Sequence, residues 1–431
     1  MAHIIQLSER RKRLAPGGEM ALYLRVGRND HPAILELIAR GERRFFGVVI
    51  DAQAAQRQSE LVTEAAKHGF ETILDTKSQP LALPGGHTDT LATLPWAHER
   101  THRRSDFTGA KGASLAERIV AFALEHGFST LLAPTHVLRE PNDPWLDIDI
   151  AMIDVMNRAI RRSGVDLRLI YSLCVPISLL REPAHRRALM IKLQSIQVDA
   201  LWLKTDQFGG GATGEKTVAY IEAARELQAI GLPIVADHVG GLPGLALLAF
   251  EGVGGIAHGI TLYEQFDSGH WRRVPQPGST GRMPPTRVYL NTIDLHMKKE
   301  PARLLMDSSP RCRRLLACAD TQCCENGATS MVTSPAHHFV VQRAQQVEKL
   351  NSVPNALRSE TFLDDYVRPA SDAVYSLLSA KQLPEESIAP LDKKQKTLSR
   401  FRHTLGNLAK ADEYGAIALK PVRLDARKRS Q

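Results

Sequence analysis

Cysteine is scarce in this chain. Five in 431 residues is an odd and small number, and it does not read as a disulfide framework. Four of the five crowd into Cys312–Cys324, and the fifth, Cys174, lies in an apolar run. Reduced thiols and a cytoplasmic location are the expectation. Long hydrophobic runs are also lacking. No stretch approaches the roughly 18 apolar residues of a membrane span, so no membrane is expected as a partner. The opening residues, MAHIIQLSERRKRLAPGG, carry charge with no apolar stretch behind it, and no secretory signal is expected. Acidic residues are sparse at the other end. Residues 391–431 hold eleven Lys/Arg against four acids, a net +7 out of +8 for the whole chain.

A hydrophobic content of 43 % supports a large core. Eight short apolar runs organise residues 20–267: ALYLRV (21–26), FFGVVI (45–50), ETILD (71–75), STLLAP (129–134), LRLIYSLC (167–174), ALWLKTD (200–206), PIVAD (233–237) and GIAHGI (255–260). Most hand over to helix-forming segments that stop at glycine, such as Gly41, Gly69, Gly127, Gly164 and Gly231. Eight strand–helix units predict a (β/α)8 TIM barrel. The predicted division is a basic segment at 1–19, the barrel at 20–267, a Pro/Gly-rich linker at 268–286, a Cys/His-containing helical module at 287–390 and a basic tail at 391–431. The connection after Asp75 runs for nearly forty residues and is rich in arginine. Loops longer than about 15 residues tend to be functional, so it is read as a substrate-covering loop.

In such a barrel the strand carboxyl ends form the working face. Those ends present Arg25, Asp51, Asp75, His136, Cys174, Lys204, Asp206, Asp237, His238 and His258. Asp51 runs straight into a helix and reads as its cap. Asp75 and Asp237 precede loops and are candidate catalytic carboxylates. Lys204, on an apolar strand, is a candidate for a desolvated amine that either forms a Schiff base or anchors an anion. Asp206, His238 and His258 are candidate substrate contacts, as are Gly240 and Gly241, which follow strand seven where barrels often seat phosphate. The string GATGEKT lacks the spacing of a phosphate loop. Past the barrel, Cys318, Cys323, Cys324 and His338 form a set suited to a structural, tetrahedral zinc.

These pieces resemble the tRNA-guanine transglycosylases, (β/α)8 barrels that exchange a guanine base in tRNA for a deazaguanine and have relatives acting on DNA. Ile73-Leu74-Asp75-Thr76-Lys77-Ser78-Gln79 is similar to the family's Asp-Ser-Gly-Gly-Phe-Gln motif, with Lys77-Ser78 where the double glycine stands. Gly252–Gly259 is loosely similar to a glycine-rich strand, and the Cys/His cluster to the family's zinc module. The resemblance implies a catalytic role for Asp75, a place near the substrate for Gln79, structural zinc, and a nucleic-acid partner met through the basic tail and long loop. The leading expectation is therefore a glycosyltransferase of the transglycosylase type, active or degenerate. Two alternatives stay open: a small-molecule barrel lyase or aldolase using Lys204, and a non-catalytic barrel binding nucleic acid or protein. Homo-oligomerisation is also left open.

Overall fold

The computed structural model describes residues 19–273, 285–380 and 382–418. The basic clusters Arg10–Arg13 and Lys420–Arg429, and most of the predicted linker, lie outside the described residues. Eight parallel strands close into a barrel: β1 (Ala21–Val26), β2 (Gly47–Asp51), β3 (Glu71–Asp75), β4 (Thr130–Leu132), β5 (Arg168–Pro176), β6 (Ala200–Asp206), β7 (Ile234–Asp237) and β8 (Gly255–Gly259), with β8 paired back onto β1. Each falls on one of the eight apolar runs. Parallel strands covered by helices are buried on both faces, so they read as nearly continuous apolar runs.

The crossover helices begin and end on recognisable signals. Pro144–Ser163 starts with Asp143 accepting the Trp145 amide at 3.0 Å and Pro144 in its first turn, and stops at Gly164 with φ 70°. Inside the barrel, Ala21, Tyr23, Val49, Ile73, Leu132, Ile170, Ala200, Trp202, Val235 and Ala257 fill the centre as a packed plug.

Beyond the barrel an antiparallel hairpin, Arg287–Leu290 with Leu295–Lys298, is followed by helices ending in the long Glu385–Ala418. Helix Pro335–Asn351 lies against the barrel wall, and Asn351 caps the chain's approach to β1 by accepting the Met20 amide at 3.0 Å. In the last helix Leu391, Leu398, Phe401 and Leu405 are buried at steps of seven, three and four, the pattern of a helix with one face on a core. No helix among the described residues is long and apolar enough to cross a membrane.

Candidate active site at the barrel mouth

Side chains alternate along a strand, so the inward set that begins as Tyr23, Val49, Ile73, Trp202 and Val235 continues two residues on as Arg25, Asp51, Asp75, Lys204 and Asp237. The apolar plug is thus capped by a layer of charge. Arg25 is its hub. Its Nε and Nη2 donate to the two Asp237 oxygens at 2.5 and 2.7 Å, and its Nη1 donates to Asp75 at 2.8 Å. Lys77 Nζ sits 3.1 Å from Asp51, and Lys204 Nζ 4.0 Å from Asp75.

The electrostatics follow from that layout. Burial by itself raises the Asp75 carboxyl, but Lys77, Lys204 and Arg25 outweigh it and hold the group well below the ordinary aspartate value. Burial lowers the Lys204 ammonium, only partly countered by Asp75. Lys204 has no hydrogen-bond acceptor within reach among the described residues, and its Nζ lies 4.9 Å from the Phe266 ring centre and 5.8 Å from that of Trp271. His238 is also exceptional. It holds a left-handed φ of 59°, rare for a residue other than glycine, and both ring nitrogens are buried without a partner among the described residues. Burial, then Arg25, Lys204 and Lys77, drive its pKa well below the usual histidine value, so the imidazole is neutral.

Above this layer is a cavity of about 650 Å³. Its cations are Arg25, Arg28, Arg57 and Lys77, its acids Asp51 and Asp267, and its aromatic wall is Phe266 with Trp271. The roof comes from two segments, residues 76–108 and 261–273. The Gly85 amide joins them by donating to the Trp271 carbonyl at 2.6 Å, and a Cβ at Gly85 would run into the Arg273 backbone. The long loop after β3 is packed rather than loose. Trp96 is fully buried and its indole donates to the Thr76 carbonyl at 2.9 Å. Its arginines do not line the cavity: Arg100 is paired with Asp106, and Arg103 and Arg104 are exposed.

The predicted site residues divide clearly. Asp75, Lys204, Asp237 and His238 come together in the charged layer under the mouth, and of the four only His238 lines the cavity. Asp237 is wholly enclosed, with both oxygens taken by Arg25. Asp206 points inward too, but it accepts the Ser268 amide and hydroxyl, both at 2.6 Å, and so clamps the roof segment onto the barrel. Gln79 donates to Thr135 and Ser172 at 3.0 and 3.3 Å, tying the loop after β3 to the ends of the neighbouring strands. His136, also read as a mouth residue, bonds Asp149 at 2.6 Å and stacks on Trp145. Cys174 is buried, and burial pushes its thiol up.

Three expectations need correction. His258 does not face the mouth. On β8 the inward residues are Gly255, Ala257 and Gly259, so His258 points outward and packs its ring 5.6 Å from Phe339. Gly240 and Gly241 do not offer a free phosphate seat. The Gly241 amide, at φ 62°, donates to Glu264 at 3.0 Å and the Leu242 amide to Asp294 at 3.1 Å. Two of the protein's own carboxylates occupy that helix N-terminus. Arg343 and Lys394 neutralise them from the C-terminal region, and His296 hydrogen-bonds Glu264 at 2.7 Å. The third correction is Arg25, placed at the mouth by its run but given no role, although it organises the whole charged layer. Phe266 and Trp271 carried no signal, because Phe266 follows the last apolar run (255–260) and Trp271 lies in the stretch 268–286 that read as a linker.

The predicted metal residues do converge. Ligand atoms of Cys318, Cys323, Cys324 and His338 all lie within 4.8 Å of one another, and all four residues are buried, close enough to bind a metal. His338 Nε2 meets the Tyr289 carbonyl at 3.0 Å, which leaves Nδ1 facing Cys324 and Cys323 at 3.3 and 3.5 Å. Cys312 is buried elsewhere, in helix Pro310–Leu316.

No family model matches the chain, and no curated protein matches it. Among solved structures, a protein described as a phosphonomutase from Burkholderia cenocepacia is similar at 16 % identity, covering 58 % of this chain and 89 % of that one with a TM-score of 0.33. A likeness of that order bears on neither the site nor its activity.

Proposed function

We propose that the barrel is an enzyme of N-glycosidic base chemistry on a nucleic acid, of the transglycosylase kind, with Asp75 as its reacting carboxylate. The observation that carries this is an aspartate kept ionised by three cations beneath a cavity that is both cationic and aromatic. Such a cavity suits a nucleotide taken out of its stack, with phosphate near Arg28 and Arg57 and the base against Trp271. Its volume lies in the range of small-ligand pockets, roughly 300–1,000 Å³.

In this reading an Asp75 oxygen bonds to the sugar C1′ as the C1′–N bond breaks. The departing base keeps the bonding pair and takes a proton from the Lys204 ammonium. An incoming base then attacks C1′, releases the Asp75 carboxylate and returns its proton to the Lys204 amine. Arg25, steadied by Asp237, orients Asp75 and stabilises it as a leaving group. Asp75→Asn is expected to lower base exchange, followed as labelled guanine entering tRNA or DNA, by about 10²–10⁴-fold. Exchange that persists undiminished in Asp75→Asn sinks the assignment.

The Cys/His cluster supports the same reading. A tetrahedral zinc with Zn–S arms of about 2.3 Å places its ligand atoms about 3.8 Å apart, and the Cys323 and Cys324 sulfurs are 3.8 Å apart. When bound there, zinc would be structural, since the four ligands are buried and leave no open face toward the mouth.

One observation favours a second reading. A buried amine with lowered pKa and no hydrogen-bond acceptor among the described residues, under two aromatic rings, is also the environment of an imine-forming lysine. In a lyase of that type, borohydride with glyoxylate or pyruvate would leave a reduced adduct on the Lys204 peptide, read as a mass shift. Absence of the adduct with both probes removes this alternative.

A further inference from the structure

The C-terminal helix Glu385–Ala418 has two faces, and only one is used by the fold. Leu391, Lys394, Leu398, Phe401 and Leu405 face inward, with Lys394 reaching Asp294 at 3.0 Å. On the opposite side Lys393, Lys396, Arg400, His403 and Lys410 are all exposed and follow one another at steps of three, four, three and seven. That spacing keeps them on a single stripe. From Lys393 to Lys410 it runs for about 25 Å at 1.5 Å per residue. Asp392 is the acid beside its start and is paired with Lys396 at 2.7 Å; Asp412 turns inward to Arg225 at 2.7 Å. Lys393 and Lys410 have no acidic partner among the described residues and Arg400 lies near Glu215, so the four Lys/Arg of the stripe outnumber the two acids beside it.

Its placement matters more than its charge. The helix crosses the start of Gly214–Leu227 so closely that a Cβ on Gly214 would press into Thr404 and the Phe401 backbone. Gly214 ends the connection that leaves Asp206 at the mouth, so the stripe begins on the rim of the barrel. A groove of about 330 Å³ opens there, lined by the cations Lys393, Lys396 and Arg400, by Asp392, and by Thr213, Gly214 and Thr397.

We infer that this stripe is a track for a nucleic-acid phosphodiester backbone, leading from the outer helix to the mouth. The inference rests on the proposed function for its choice of polyanion. Regular cations on a rigid helix meet a regular row of phosphates, whereas scattered surface lysines do not. B-form DNA advances about 3.4 Å per phosphate on one strand, so the stripe spans about seven. The shared chemistry is the phosphodiester chain, and RNA and DNA are separated by the test.

The experiment compares the wild-type full chain with Lys393→Gln/Lys396→Gln/Arg400→Gln/Lys410→Gln, which leaves Lys394 and the buried face intact. Binding of labelled transfer RNA and of a 30-base-pair DNA duplex is followed by anisotropy from 50 to 300 mM salt. The variant is expected to bind at least tenfold more weakly at 150 mM. The slope of log K against log salt is expected to fall by about 0.9 for each removed phosphate contact. The nucleic acid showing the larger loss identifies the natural backbone. Equal affinity and equal slope in the variant overturn the track while leaving the barrel chemistry standing. Weakened binding in the stripe variant, with base exchange unaffected by Asp75→Asn, upholds the track and overturns the chemistry. Absence of wild-type binding to both polymers, or binding to phosphatidylserine vesicles in their place, overturns the track.

Discussion

Arg25→Leu is expected to destabilise the fold by about 3–5 kcal/mol, the usual consequence of removing one partner from a buried ion pair. Asp237 is fully enclosed and has both oxygens on this guanidinium, so its charge is left without a partner. Asp75 keeps Lys77 and Lys204 nearby and suffers less. The double variant Arg25→Leu/Asp237→Leu removes both buried charges and is expected to recover most of the loss, because an apolar pair of similar volume can replace a buried salt bridge with little penalty. Denaturant unfolding at neutral pH measures both. A single variant as stable as wild type would show that Asp237 is not held by Arg25. The acid limb gives a separate reading. Asp75 has a folded pKa below its unfolded one, so its contribution is complete above the unfolded value, about 3.9, and is lost as pH falls through the folded value. In Arg25→Leu one of the three cations holding Asp75 down is gone, so the folded pKa lies nearer the unfolded one: Asp75 contributes less stability, and its loss on acidification is complete at a higher pH.

The barrel was readable because each strand is buried on both faces and bounded by glycine or polar turns, which leaves a local mark in the sequence. The charged layer was readable for the same reason, since a charge two residues beyond an inward apolar side chain points the same way. Counting from Tyr23 reaches Arg25, and counting from Ala257 passes over His258. Parity on β1 and β8 thus separates the hub of the mouth from a histidine of the outer wall, and a list of strand ends does not apply it. Other features had no local mark. Glu264 and Asp294 fill the helix N-terminus at Gly241 only because Arg343 and Lys394 arrive from 79 and 100 residues further on. Trp271 and Phe266 reach Lys204 only because Asp206 clamps Ser268. The metal residues were readable by type in spite of irregular spacing. Cys323 and Cys324 are adjacent, and the turn at Asp320, whose carboxylate accepts the Gln322 and Cys323 amides at 2.9 and 3.2 Å, shapes the backbone that presents them.

Removal of the metal should reach further than its own site. Purified protein is expected to hold about one zinc per chain. At free zinc a thousandfold above Kd, binding that is confined to the folded state contributes about 4 kcal/mol. A strong chelator at neutral pH is therefore expected to lower the melting temperature by several degrees, and added zinc to restore it. His338 lies on the same helix as Arg343, whose guanidinium holds Glu264 at 3.2 Å, two residues before Phe266 in the roof over Lys204. Loosening the first end of that helix withdraws support from the second. Chelation should accordingly expose Trp271 as well as the cysteines, seen as a red shift of its fluorescence in a protein whose other three tryptophans are replaced by phenylalanine. Cys324→Ser removes one ligand at nearly constant volume. It is expected to melt at the temperature of the chelated wild type and to be insensitive to chelator. A metal-free preparation with the same melting temperature as wild type would dismiss the site. A lowered melting temperature with unchanged Trp271 emission would confine the metal's effect to the Cys/His region and break the proposed link to the mouth.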